Sequence, residues 1–156
     1  MNVKAIPEGY HSLTAYLSVE HAAQAIEFYT RAFDAVEAFR LDMPDGRVGH
    51  AELSIGNSRL MLSESCPQGP LGAPDPASKP AFGMHLYVDD VDTCFRQAID
   101  AGAQEVSAVS DQFYGDRSGT LKDPYGHFWF IATHKEDLTH EQIHERARQM
   151  FDSSQA

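Results

Sequence analysis

Alternation of apolar and polar side chains begins close to the start of the chain. From His11 to Val19, Leu13, Ala15, Leu17 and Val19 fall on one side and Thr14, Tyr16 and Ser18 on the other, which predicts a half-buried strand. Ala22, Ile26, Tyr29 and Phe33 then recur at helical spacing, predicting an amphipathic helix of about three turns. Val36 to Leu41 follows as a short strand, and Pro44-Asp45-Gly46-Arg47 as a hairpin turn, by its Pro and Asp-Gly. In Val48 to Ile55, Ala51, Leu53 and Ile55 oppose His50, Glu52 and Ser54. Gly56-Asn57 returns the chain into a strand from Arg59 to Ser63. The predicted order is β-α-β-β-β.

A stretch rich in Pro and Gly, from Cys66-Pro67 to Lys79-Pro80, has no periodicity and reads as a surface linker. The pattern then starts again. Phe82 to Val88 alternates, and Asp90 caps a helix carrying Cys94, Phe95, Ala98 and Ala101 that Gly102 ends. Strands follow over Val106–Val109, Tyr114–Leu121 and His127–Thr133. One constant shift maps Leu17 onto Leu86, Ala32 onto Ala101, Gly46 onto Gly115, Leu60 onto Trp129 and Leu62 onto Ile131, without a gap. The chain therefore reads as a duplicated module: an α+β fold of two βαβββ modules forming a cupped eight-stranded sheet, mixed or antiparallel. Module one spans 11–65, the linker 66–81 and module two 82–134, within one domain over 9–134. A C-terminal helix over 138–151 begins near Thr139, which forms a capping box with Gln142, and is packed by Ile143, Ala147 and Met150.

Each helix must bury its apolar stripe against a sheet, so the opposite sheet faces form a second surface. Leu13, Leu17, Leu53, Leu60, Leu86, Trp129 and Ile131 are assigned to the helix side, with Trp129 a core residue in the place of Leu60. The other face collects Tyr16, His50, Glu52, Arg59, Met61, His85, Tyr87, Phe130 and His134. It is too polar for a core and too aromatic for a plain solvated surface, which points to a cleft.

Composition narrows the function. The 156 residues are 42% hydrophobic and carry a net charge of -11, a surface that repels phosphate backbones and disfavours nucleic acid as a partner. No apolar run approaches the ~20 residues that cross a bilayer, and the first residues lack the apolar core of a secretory signal. Cys66 and Cys94 form no CxxC motif and read as reduced thiols, Cys94 as the buried one, so a cytoplasmic location is expected.

Several segments carry a resemblance to a known family: Ala25-Ile26-Glu27-Phe28-Tyr29, Pro44-Asp45-Gly46-Arg47, His50-Ala51-Glu52-Leu53, Asp111-Gln112-Phe113-Tyr114-Gly115-Asp116-Arg117, Asp123-Pro124-Tyr125-Gly126-His127 and the ending Ile131-Ala132-Thr133-His134. With the paired modules, they resemble the vicinal-oxygen-chelate superfamily (glyoxalase I, bleomycin-resistance proteins, extradiol dioxygenases), and within it the PhnB-like branch. The resemblance implies a homodimer. It also implies divalent-metal ligands on the first and last strands of each module, positions held here by Thr14, Met61, Gly83 and Phe130. None of these is a His or a carboxylate, so no metal or other cofactor is expected at the usual place. Bleomycin-resistance members bind their drug without a catalytic metal, and the resemblance therefore leaves a metal-free binding role open.

The candidate ligand-binding residues are Tyr16, His50, Glu52, His85, Tyr87, Phe113, Tyr114 and Arg117. His50 and Glu52 stand two apart on one strand and share a face; with His85 they form either an acid/base set, a displaced metal site or a hydrogen-bond network that satisfies itself. Arg117 either grips a carboxylate or phosphonate, with Phe113 or Tyr114 stacking on the ligand, or bridges to Asp111 or Asp116. The leading expectation is a small-molecule-binding protein of resistance or sequestration type. The alternative is a metal-dependent lyase, isomerase or dioxygenase using His50, Glu52 and His85. His127, in the turn before the last strand, is expected to hydrogen-bond the backbone. His140-Glu141-Gln142-Ile143-His144 matches the zinc-protease pattern H-E-x-x-H, but lies in a peripheral helix without a third ligand.

Overall fold

The computed structural model describes residues 3–154. Module one contains β1 (Ala15–Val19), α1 (Ala22–Phe33), β2 (Val36–Asp42), β3 (Val48–Ile55) and β4 (Ser58–Glu64). Module two contains β5 (Gly83–Tyr87), α2 (Val91–Ala101), β6 (Gln104–Asp111), β7 (Asp116–Lys122) and β8 (Phe128–His134), and α3 (His140–Ser153) follows it. The eight strands form two four-stranded mixed sheets, ordered β1-β4-β3-β2 and β5-β8-β7-β6. In each, the first strand runs parallel to the last and the other pairs are antiparallel. β1 and β5 are both edge strands, so the predicted eight strands are divided between two sheets rather than joined in one ladder.

The internal repeat holds at the level of register. Ala15, Tyr16 and Leu17 lie opposite Leu60, Met61 and Leu62, and their counterparts Met84, His85 and Leu86 lie opposite Trp129, Phe130 and Ile131. The expected gapless correspondence fails on the middle strands. Leu53 pairs with Leu60, and the residue that pairs with Trp129 is Leu121, one position earlier than a constant shift requires. Module two thus has one residue fewer between Gly115 and Leu121, and one more in the hairpin before β8. The longer hairpin holds Asp123, whose carboxylate takes amide hydrogens from Tyr125 and His127 (2.9 Å each) and so turns the chain. The sequence shift did not reveal the compensation because the two changes cancel.

α1 starts at His21, a left-handed residue (φ 62°) with no side-chain cap. The cap comes from β4, where the Glu64 carboxylate accepts from the amides of His21 and Ala22 at 2.8 Å each. α2 has the expected Asp90 cap, accepting from the Thr93 amide at 3.1 Å, and ends at Gly102. The helices are tied side by side, Gln97 donating to the Arg31 carbonyl and the Asp34 carboxylate. Leu17, Leu53, Leu60, Leu62, Leu121, Trp129 and Ile131 are buried with α1 and α2 residues in one core. α1 also reaches into module two: Phe33 packs 4.4 Å from Trp129, and Tyr29 Oη donates to Asp123 at 2.7 Å. Trp129 donates its Nε1–H to the same carboxylate at 2.9 Å.

Leu13 departs from expectation. It precedes β1 and is 90% exposed, because the strand begins only at Ala15 and the alternation upstream has no partner strand to enforce it. Cys94 is only half-buried. α3 begins at the Thr139 capping box as expected and runs to Ser153; it buries no residue completely, Ile143 and Ala147 being half-buried and Met150 exposed. His127 does bond the backbone, through Nε2 to the Ser18 carbonyl at 3.2 Å, which ties the hairpin to β1.

Candidate functional site

Both sheets present an open face on the side away from the helices. In sheet one the register sets Glu52 between Phe39 and Met61, and His50 beside Leu41. A hydrogen-bonded chain crosses this face. Tyr16 Oη lies 2.9 Å from His50 Nδ1, and His50 Nε2 lies 3.3 Å from Glu52 Oε1. Tyr10, from the segment before β1, donates its hydroxyl to Glu52 Oε2. The Tyr10 hydrogen bond is the main cause holding the Glu52 carboxyl below its usual range, with smaller help from His50 and Arg59 against a burial effect of opposite sign. Arg59 donates Nη1–H to Ser54 at 2.6 Å and stands 5.5 Å over the Tyr10 ring.

The open face of sheet two holds His85, Tyr87 and Phe130, with the His85 ring 4.7 Å from Tyr87 and stacked at 6.2 Å on Phe130. Tyr87 is 59% exposed, yet its hydroxyl donates to the buried Asp116 at 2.7 Å. Asp116 also meets His134 Nδ1 at 2.7 Å, and His134 Nε2 meets Asp137 at 2.8 Å. These bonds lower the Asp116 pKa although burial, the largest single influence, acts to raise it. The Asp116 hydrogen bond, then the Asp137 one, raises that of His134.

The remaining expected residues divide. Phe113 and Tyr114 stand edge to face at 5.2 Å in the β6–β7 turn, and Tyr114 Oη reaches to 3.5 Å from Ser118 Oγ on β7. Of the two roles expected for Arg117, the structure shows the bridge, to Asp111 and also to Asp92. Its guanidinium makes two 2.8 Å bonds to Asp92 on α2 and a third of 3.1 Å to Asp111. It therefore faces the helix side and bridges α2 to the strands, instead of gripping a ligand on the open face. Of His50, Glu52 and His85, the first two meet on sheet one, and His85 stands in the aromatic set on sheet two. Among the described residues no three His, Cys, Asp or Glu side chains converge on a common metal position. The H-E-x-x-H residues His140, Glu141 and His144 are all exposed on α3.

A cavity of about 300 Å³ lies at the seam between the modules, lined by Arg59 and Leu60 from one side and by Phe82, Met84, His85 and Leu86 from the other. A larger opening of about 570 Å³ lies elsewhere, between the linker at Ala73–Pro76 and the hairpin at Asp123–Gly126. At the seam, Gly83 is closely covered: a Cβ there would stand 2.8 Å from Phe130 Cε2. The Phe130 ring therefore lies directly over Gly83. Tyr10, Asp116 and His134 were not among the expected site residues. Tyr10 sits in a segment without periodicity. Asp116 and His134 come together only when β7 pairs with β8, so no local signal in the sequence marks them as partners.

The model of the Glyoxalase/Bleomycin resistance protein/Dioxygenase superfamily matches residues 10–131. An uncharacterized protein of Mycobacterium tuberculosis (strain H37Rv) is 40% identical over 135 residues, which cover 85% of this chain and 79% of that one. Among solved structures, TioX from Micromonospora sp. ML1 superposes with a TM-score of 0.65 at 23% identity, covering 80% of this chain and 98% of its own. A PhnB protein from Bacillus cereus gives 0.63 at 20% identity, with coverage of 79% and 99%. At these identities the likeness to the solved structures is one of fold.

Proposed function

Starting from a chain that belongs to the Glyoxalase/Bleomycin resistance protein/Dioxygenase superfamily, we propose that it binds a small organic molecule on the open sheet faces, without the superfamily's metal, in a resistance or sequestration role. The observation that carries this reading is the packing at the seam. Thr14, Met61, Gly83 and Phe130 hold the positions where the resemblance puts metal ligands, and the Phe130 ring covers Gly83. A hydroxyl, a thioether, a hydrogen and a phenyl ring are not a donor set for a divalent cation. What the faces offer instead is aromatic surface with a few placed polar groups, the lining common to small-molecule sites. Tyr16, His50 and Glu52 supply them on sheet one, His85 and Tyr87 on sheet two, and Tyr114 from the β6–β7 turn.

The working unit is a homodimer in a reducing, cytoplasmic compartment. Phe39, Leu41 and Tyr16 on one sheet and Tyr87 and Phe130 on the other are exposed apolar groups that a second copy would cover. Native mass spectrometry of freshly purified protein tests the proposal in one measurement. The expected result is a dimer mass with a copurified organic molecule and no stoichiometric divalent ion. A tightly retained divalent ion, released when His50 and Glu52 are replaced, would favour the metal-dependent enzyme instead.

A further inference from the structure

Val3 to Thr14 takes part in no helix or strand, yet one residue of it is fastened to the open face of sheet one. The Tyr10 hydroxyl donates to Glu52, the carboxylate that His50 also contacts, and the Tyr10 ring lies beneath the Arg59 guanidinium at 5.5 Å. A turn closed by the Tyr10 amide on the Pro7 carbonyl (3.1 Å) delivers the ring. Gly9, at φ 83°, lies against Arg59 so closely that a Cβ would meet Nη2 at 2.9 Å. Just beyond the ring, His11 Nε2 meets the Asn57 carbonyl at 3.2 Å. Without those side-chain contacts no sheet ladder or helix would hold this arm down.

Three groups at this point are arranged as a receptor for a flat ring with a hydroxyl: a guanidinium for the ring face, a carboxylate for the hydroxyl, and an imidazole behind the carboxylate. The chain itself supplies a molecule of that shape. We propose that Glu52 and Arg59 form a subsite for a hydroxylated aromatic ligand, with Tyr10 as its built-in, displaceable occupant. The proposal rests on the small-molecule reading above and names the ligand class. Arg59 also lines the seam cavity with His85, so one group of the subsite borders the cleft between the modules.

The test uses 4-methylphenol, the tyrosine side chain as a free molecule, and toluene, which lacks the hydroxyl. Amide shifts are followed by NMR in the wild-type chain, in Tyr10→Ala and in Tyr10→Ala/Glu52→Gln. Because a hydrogen bond to a charged partner corresponds to roughly tenfold or more in affinity, Tyr10→Ala should bind 4-methylphenol about tenfold tighter than the wild type. Shifts should centre on Glu52, Ser54 and Arg59, toluene should show no such gain, and Glu52→Gln should remove it. Tyr10→Phe, which keeps the ring over Arg59, should bind with intermediate affinity and guards against a folding defect in the alanine variant. Equal affinity in wild type and Tyr10→Ala, or a gain that survives Glu52→Gln, overturns the subsite. Shifts confined to His85, Tyr87 and Phe130 in every variant would also overturn it, while leaving the binding function intact. A bound metal in native mass spectra with the tenfold gain preserved would sink the metal-free function and keep the subsite.

Discussion

Asp123 is the point where the two modules hold each other, and replacing it gives a stability change that can be worked out in advance. The residue is 3% exposed and accepts four hydrogen bonds: from Tyr29 Oη of α1, Trp129 Nε1 of β8, and the amides of Tyr125 and His127. Asp123→Ala leaves all four donors without their acceptor. The two amides lie in the β7–β8 turn and are left out of the estimate, which counts the side-chain donors alone. The Tyr29 hydroxyl and the Trp129 indole belong to fully or nearly fully buried residues. A buried donor left unsatisfied costs about 1–3 kcal/mol, so those two alone predict a loss of about 2–6 kcal/mol. Against a total stability of about 5–15 kcal/mol this would be a severe change. Urea unfolding followed by fluorescence of Trp129, the single tryptophan, reads it directly. A double-mutant cycle with Tyr29→Phe sharpens the test. In the wild type Tyr29→Phe deletes a hydrogen bond to a charged partner and costs about 1.5–3 kcal/mol. In the Asp123→Ala background it deletes an unsatisfied hydroxyl and should cost nothing or restore stability. If Tyr29→Phe costs the same in both backgrounds, the carboxylate does not clamp the modules and the reasoning fails.

The other expectations are quicker to check. His134 has a pKa raised by Asp116 and Asp137, so its contribution to stability is complete below the unfolded value and is lost as pH rises through the folded one; its NMR midpoint should lie above the usual value of about 6.5 and fall toward it in Asp116→Asn. A midpoint at or below the usual value in the wild type would contradict this. Cys66 is exposed, whereas burial pushes the Cys94 thiol up to about 11, so a thiol reagent should modify one site quickly and the second only on unfolding, with Cys66→Ser removing the fast phase. Arg117→Ala breaks the bridge to Asp92 and Asp111; solvent screens so exposed a bridge, so the midpoint of urea unfolding should barely move and ligand affinity should not change. A large loss of affinity in that variant would return Arg117 to the binding site.

How far the sequence led can be seen in particular residues. Trp129 was placed in the core because it continued the parity of Leu60, and the paired registers of β4 and β8 bear that out. The shared face of His50 and Glu52 followed from a spacing of two on a strand, and the two do meet at 3.3 Å. Leu13 failed because alternation says which side a residue would take, and only a neighbouring strand decides whether the chain is a strand at all. Arg117 carried two readings in the sequence, a ligand grip and a bridge to Asp111 or Asp116, and the bridge to Asp111 is made. Its side of the strand was open to choice in the sequence, and Asp92, brought near by the packing of α2, decided it.

Local and periodic signals along the chain were enough for the duplicated βαβββ order, the helix caps at Asp90 and Thr139, the core positions of α1, β3, β4 and β8, and the family resemblance. These are local or periodic properties, set by interactions between residues close along the chain and by the repeat of a single pattern. Tertiary structure alone decided that β1 and β5 stay unjoined, that Asp123 links α1 to the β7–β8 hairpin, and that Tyr10 reaches across to Glu52. The last two join groups dozens of residues apart. Such a contact forms where burial and hydrogen bonding outweigh the entropy of closing the intervening loop, and that balance leaves no mark in the local pattern.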